Sequence, residues 1–95
     1  MLIQKGFSAG DIISIKLSNG DELIARYEAD DADSITIDRP KALTMSPSGL
    51  GMIPWVFLGD VGKVKLSRNH IFAAVPSQKD AADQYMQGTT GIALA

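Results

Sequence analysis

The chain has 95 residues, a formal charge of −2 from 9 basic and 11 acidic residues, and no cysteine. The missing cysteines exclude disulfides, thiolate zinc sites and a cysteine nucleophile, and are compatible with a reducing cytoplasm. The slight acidity excludes a broad, non-specific grip on nucleic acid and leaves room only for a local basic patch.

One domain is the expectation at this length, and a hydrophobic fraction of 45% argues against a disordered chain. The opening Met1-Leu2-Ile3-Gln4-Lys5-Gly6 has no long apolar core. No run approaches the roughly 18 apolar residues of a membrane helix. Neither a signal peptide nor a membrane span is predicted, and the expected location is cytoplasmic.

Residues 1–10 read as an N-terminal arm. Ile13-Ser14-Ile15-Lys16-Leu17 then alternates strictly, the pattern of a half-buried strand. Ser18-Asn19-Gly20-Asp21 follows. Asn-Gly between alternating runs signals a hairpin, because both residues tolerate positive φ. A second strand is predicted from about Glu22 to Glu28, with Leu23, Ala25 and Tyr27 on one face. Ile24, Arg26 and Glu28 take the other. Asp30-Asp31-Ala32-Asp33 breaks the pattern, since clustered aspartates favour turns. Ser34-Ile35-Thr36-Ile37-Asp38 is a third strand, which Pro40 ends or confines to an edge.

Ser46-Pro47-Ser48-Gly49-Leu50-Gly51 reads as a loop. Met52 to Leu58 is strand-like and carries the only tryptophan, Trp55. After a break at 59–62, Val64 to Pro76 presents two apolar runs around the polar turn Ser67-Arg68-Asn69-His70, a β-hairpin candidate. Ser77 is the predicted helix N-cap, with Asp80 in the reciprocal position and a stop near Gly88. About five short strands followed by one short helix predict a strongly bent antiparallel sheet or small barrel. Its open edges could be satisfied by a neighbouring subunit.

Two segments resemble the Sm-like family, in particular its bacterial RNA chaperones. Ile13 to Asp31 is similar to the first family motif: alternating strand, Asn-Gly turn, a second strand with a small residue (Ala25) and a loop aspartate (Asp31). Leu66 to Pro76 is similar to the second motif, and Ala74-Val75-Pro76-Ser77 is close to the chaperones' ending. Together they cover roughly a third of the chain. The resemblance implies a mainly β fold: an Sm-like, strongly bent five-stranded antiparallel sheet forming a small open barrel, with a short C-terminal helix. The single domain spans 1–95, with a first-motif segment at 11–38 and a variable region at 39–60. A second-motif hairpin at 61–76, a helix at 77–88 and a tail at 89–95 complete it. Divergent members of the family occur in some bacteriophages.

The resemblance also implies a homo-oligomeric ring of five to seven subunits, the fourth strand of one pairing with the fifth of the next. Single-stranded RNA would bind at the pore-side loops, through Asp31, Asp33, Ser67, Arg68, Asn69 and His70. Arg68 would meet phosphate or stack on a base, and Asn69 would read a base edge. Where the chaperones carry a stacking aromatic, this loop reads Ala32-Asp33-Ser34, and of their Lys-His pair only a cation, Arg68, remains. A ring that keeps the scaffold but serves structure or protein interaction is the alternative.

Each of these residues also has a plainer reading. The Arg68 turn is an ordinary turn, and Lys63, Lys65 and Arg68 form either a phosphate stripe or a solvated face. Glu28 to Asp33 is a soluble turn rather than a cation site, lacking the glycine and distal glutamate of a calcium loop. Trp55 belongs to the core or a subunit interface more readily than to an exposed docking patch. His70 has no partner pattern for metal or base chemistry. No nucleophile, base and acid constellation is visible, so neither catalysis nor a metal or cofactor is expected.

Overall fold

The structure, a computed structural model, describes residues 2–3, 6–55 and 62–89. In chain order the elements are β1 (Leu2–Ile3), β2 (Ile12–Leu17), β3 (Glu22–Asp30), β4 (Ser34–Ser46), β5 (Gly49–Pro54) and β6 (Lys63–Ser67). A 3-10 turn (Arg68–His70), β7 (Ile71–Pro76) and the helix α1 (Lys79–Thr89) complete them. The fold is mainly β. Its backbone is the antiparallel path β7-β2-β3-β4-β6, with β5 added to the far half of β4 and β1 lying parallel to β7.

The two ends of that path, β6 and β7, are consecutive in sequence and separated only by the 3-10 turn. A connection this short brings both ends of the sheet together, so the sheet bends back on itself. It is not closed into a barrel: β6 pairs with β4 and β7 with β2, rather than with each other. The hairpin expected around Ser67–His70 is therefore corrected. Local alternation identified both strands, but the open edges of β4 and β2 outcompete pairing across the turn.

Bulges explain the bend. Between the pairs Ile24↔Lys41 and Arg26↔Asp38, one residue of β3 faces Arg39 and Pro40 of β4. Glu28 is the extra residue on β3 between Tyr27↔Ile37 and Ala29↔Thr36. Phe72 is the extra residue on β7 between Lys16↔Ala73 and Leu17↔Ile71. Each bulge sharpens the local twist. The first also corrects the expectation that Pro40 ends its strand or confines it to an edge, since β4 is paired with β3 on one side and with β5 and β6 on the other. Arg39 takes φ 51°, and at that bulge proline has no ladder bond to donate, so β4 runs on to Ser46.

The inward face carries Ile13, Ile15, Leu17, Leu23, Ala25, Tyr27, Ile35, Ile37, Leu66, Ile71 and Ala74 in one buried cluster. This matches the predicted facing of β2 and β3. The other face of β3 is covered by α1. There Ile24 and Tyr85 are buried, and the Tyr85 hydroxyl shares its proton between the carbonyls of Asp38 and Arg39, both at 2.9 Å. Those carbonyls lie at the β4 bulge, so the helix clamps the point where the strand kinks.

Three local expectations change. Gly20 alone adopts positive φ (99°) in its turn. The Gly20 N–H bonds to the Leu17 carbonyl, and the Leu17 N–H to the Asp21 carbonyl. This is a three-residue hairpin with the glycine in the left-handed position, so Asn19 needs no unusual backbone. Ser77 does not cap α1: its Oγ lies 2.8 Å from Ser14 Oγ, and the first helical bond runs from Ala82 N–H to the Gln78 carbonyl. The loop expected over 46–51 contracts to Pro47-Ser48, because Gly49–Pro54 pairs with the extended β4. The remainder of the predicted Met52–Leu58 strand, residues 56–58, lies outside the described residues, as does most of the tail.

Candidate nucleic-acid interface

The six residues expected to contact RNA gather where the bent sheet meets itself. The 3-10 turn is held by main-chain bonds on both sides. Arg68 N–H donates to the Asp33 carbonyl and Ser18 N–H to the His70 carbonyl, both at 2.9 Å. One turn thus joins the β3–β4 loop to the β2–β3 turn. Ser67 caps it, its Oγ accepting from Asn69 N–H at 3.3 Å. Asn69 and His70 are exposed.

Asp31 organises its own loop. Its Oδ1 accepts from the N–H groups of Asp33 and Ser34, both at 2.8 Å, and from the Ser34 hydroxyl at 3.1 Å. The bond from Asp33 N–H, then those from Ser34, hold this carboxyl below its ordinary pKa, with Lys65 assisting. The acidic run is thus a turn built around one carboxylate, the plainer of its two readings.

Protonating Asp31 is harder in the folded chain than in the unfolded one. Its contribution to stability is complete above the unfolded carboxyl's pKa and drains as pH falls through the lower, folded value. Asp31→Ala is expected to lower the thermal midpoint at neutral pH, the difference from the parent shrinking in acid. Thermal melts of both proteins across an acid pH series check this; a constant gap down to the acid limb would contradict it.

Arg68 is turned inward on this loop. Its Nε donates to the Asp31 carbonyl at 2.8 Å and its Nη2 to Asp30 Oδ2 at 2.9 Å. The rest of the expected basic stripe is matched in the same way. Lys63 Nζ lies 3.7 Å from Glu28 Oε2, and Lys65 Nζ lies 3.9 Å from Asp31 Oδ2. These three contacts neutralise the stripe. Exposed ion pairs of this type contribute little to stability. Beside them, burial first and the Asp30 carboxylate second raise the Tyr27 phenol above its ordinary pKa.

Beside the 3-10 turn lies a half-open groove of ≈ 370 Å³, lined among others by Leu17, Asn19, Trp55, Lys65, Ser67 and His70. Trp55 is half-buried against the core, and its indole N–H donates to Asp21 Oδ2 at 3.3 Å. Trp55, expected in the core or an interface, also lines this groove together with His70. No sequence signal joins residues so far apart. The alternation of Lys63 and Lys65 along β6 was legible, but their pairing with Glu28 and Asp31 was not, because it depends on how distant strands come together.

No group of metal-ligating side chains is gathered among the described residues. Among them, no helix is long and apolar enough to cross a membrane. No protein-family model matches the chain, and no curated protein matches it.

Proposed function

We propose that this protein is an Sm-like, ring-forming module that binds single-stranded RNA at the turns gathered around Arg68–His70, without catalysis. The observation that carries the reading is the path β7-β2-β3-β4-β6, whose two end strands, β6 and β7, are joined by a polar 3-10 turn. A bent antiparallel sheet whose ends meet supports the family resemblance, although β6 and β7 do not pair as the hairpin expected of the second motif. Among the described residues, β6 is paired only along the edge facing β4, and β7 is covered on its second edge only at Ala73 and Ala74.

Two such edges on consecutive strands suit head-to-tail pairing, β6 of one copy against β7 of the next, a heterologous contact that closes into a ring. Phe72, 63% exposed on β7, would be covered there. Rotation about the ring axis would repeat Asn69 and His70 in every subunit, so weak contacts would add along one strand of RNA.

Because Lys63, Lys65 and Arg68 are matched by acids, binding should rest more on bases than on phosphates. Anisotropy of labelled uridine-rich and adenine-rich RNA across a salt series tests this. The expected result is binding with a shallow salt slope. Absence of binding even at low salt would remove RNA from the reading. The same charge matching favours a second reading, a ring that serves protein assembly. That reading gains if the protein is oligomeric yet ignores RNA.

A further inference from the structure

We infer that the groove between Trp55 and the 3-10 turn is a pocket for one unpaired nucleobase; this rests on the RNA reading and gives it an address. The pocket shares Ser67 and His70 with the residues that the resemblance singles out for RNA, and adds Leu17, Asn19 and Trp55, which are not among them. Its lining combines the Trp55 indole with Leu17 and Leu66, an apolar set suited to a flat ring. Around them stand the Ser18 and Ser67 hydroxyls, the Asn19 amide and the His70 imidazole, which can donate to and accept from a heterocycle's polar edge.

Lys65 also lines the groove, but its Nζ lies 3.9 Å from Asp31 Oδ2, so the pocket is suited to the ring more than to the phosphate attached to it. The volume, ≈ 370 Å³, suits one such ring and its sugar and leaves no room for a folded partner segment.

Several of these groups are already fixed. The Asn19 carbonyl oxygen accepts from Asp21 N–H at 2.9 Å, and Ser67 Oγ accepts from Asn69 N–H at 3.3 Å. The His70 imidazole forms no side-chain hydrogen bond among the described residues and is exposed. Fixed donors and acceptors around an apolar floor lower the ordering cost of binding a small planar group. Base preference here would rest on which ring edge best meets the His70 imidazole and the remaining hydroxyl and amide protons.

Trp55 is the only tryptophan of the chain, so its emission reports on the pocket directly. The test titrates the 95-residue protein with short uridine-rich and adenine-rich RNAs, and separately with uridine and adenosine monophosphates. Tryptophan emission is followed together with the anisotropy of labelled RNA. Quenching that tracks the anisotropy is expected, with RNA affinity reduced roughly 5- to 150-fold by Trp55→Ala. Trp55 also packs on the core, so His70→Ala, which removes an exposed ring, provides a second reading; a loss of roughly 2- to 12-fold is expected.

RNA that binds with unchanged Trp55 emission and with full affinity for the His70→Ala protein would overturn the pocket while leaving the RNA reading intact. Quenching by the monophosphates without RNA binding would support the pocket and overturn the RNA reading. No anisotropy change and no quenching would overturn both.

Discussion

Tyr85→Ala is expected to lower the unfolding free energy by about 3–5 kcal/mol, the range for deleting a buried aromatic side chain. Tyr85 is 1% exposed. Its ring fills the space between α1 and the outer face of β3, and its hydroxyl supplies a donor to the carbonyls of Asp38 and Arg39. Those carbonyls sit at the bulge that carries β4 through Pro40. Loss of the side chain therefore removes apolar packing and a clamp at the same position. Tyr85→Phe separates the two: it keeps the ring and should cost only about 1 kcal/mol.

Burial holds the Tyr85 phenol above its ordinary pKa. Its neutral form is favoured in the folded chain, so its contribution is complete below the unfolded phenol's value and declines as pH rises through the folded one. Denaturant melts of the parent and both variants, from neutral to alkaline pH at one protein concentration, measure this. A Tyr85→Ala protein within about 1 kcal/mol of the parent would show that α1 is not a working part of the fold.

Ile15→Ala is expected to be similarly severe, about 2–5 kcal/mol, through a different mechanism. Ile15 is fully buried at the middle of β2, paired to Leu23 on β3 and Ala74 on β7. It sits at the centre of the inner cluster, where strands on both sides leave little freedom to collapse on a cavity. For a domain of this size that corresponds to a fall of roughly 4–8 °C in Tm per kcal/mol. Its neighbour Lys16 is exposed, and Lys16→Ala should change stability by no more than about 0.5 kcal/mol. Equal effects of the two substitutions would mean that the facing of β2 is wrong.

The facing of β2 and β3 and the β-branched start of β4 were legible in the sequence, because period-2 alternation records which face is buried. Asp31 as a turn-former was also legible, since clustered aspartates bond their own backbone. Three features were not. The β6–β7 pair reads as a hairpin because local alternation carries no information about which distant edge is open. Pro40 reads as a strand end because a bulge depends on the partner strand's register. Arg68 reads as a free cation because its acceptors, Asp30 and the Asp31 carbonyl, lie nearly forty positions earlier. The six residues singled out in the sequence do lie together, while the contacts of the charged ones were hidden by long-range pairing.

The most direct test of the ring is the mass of the 95-residue protein in solution, by sedimentation equilibrium or light scattering over a concentration series. Head-to-tail pairing of β6 with β7 should give one closed species of roughly five to seven times the 10.1 kDa chain. A Phe72→Asp variant should shift that species toward smaller ones. A 10.1 kDa monomer at all concentrations would contradict the ring.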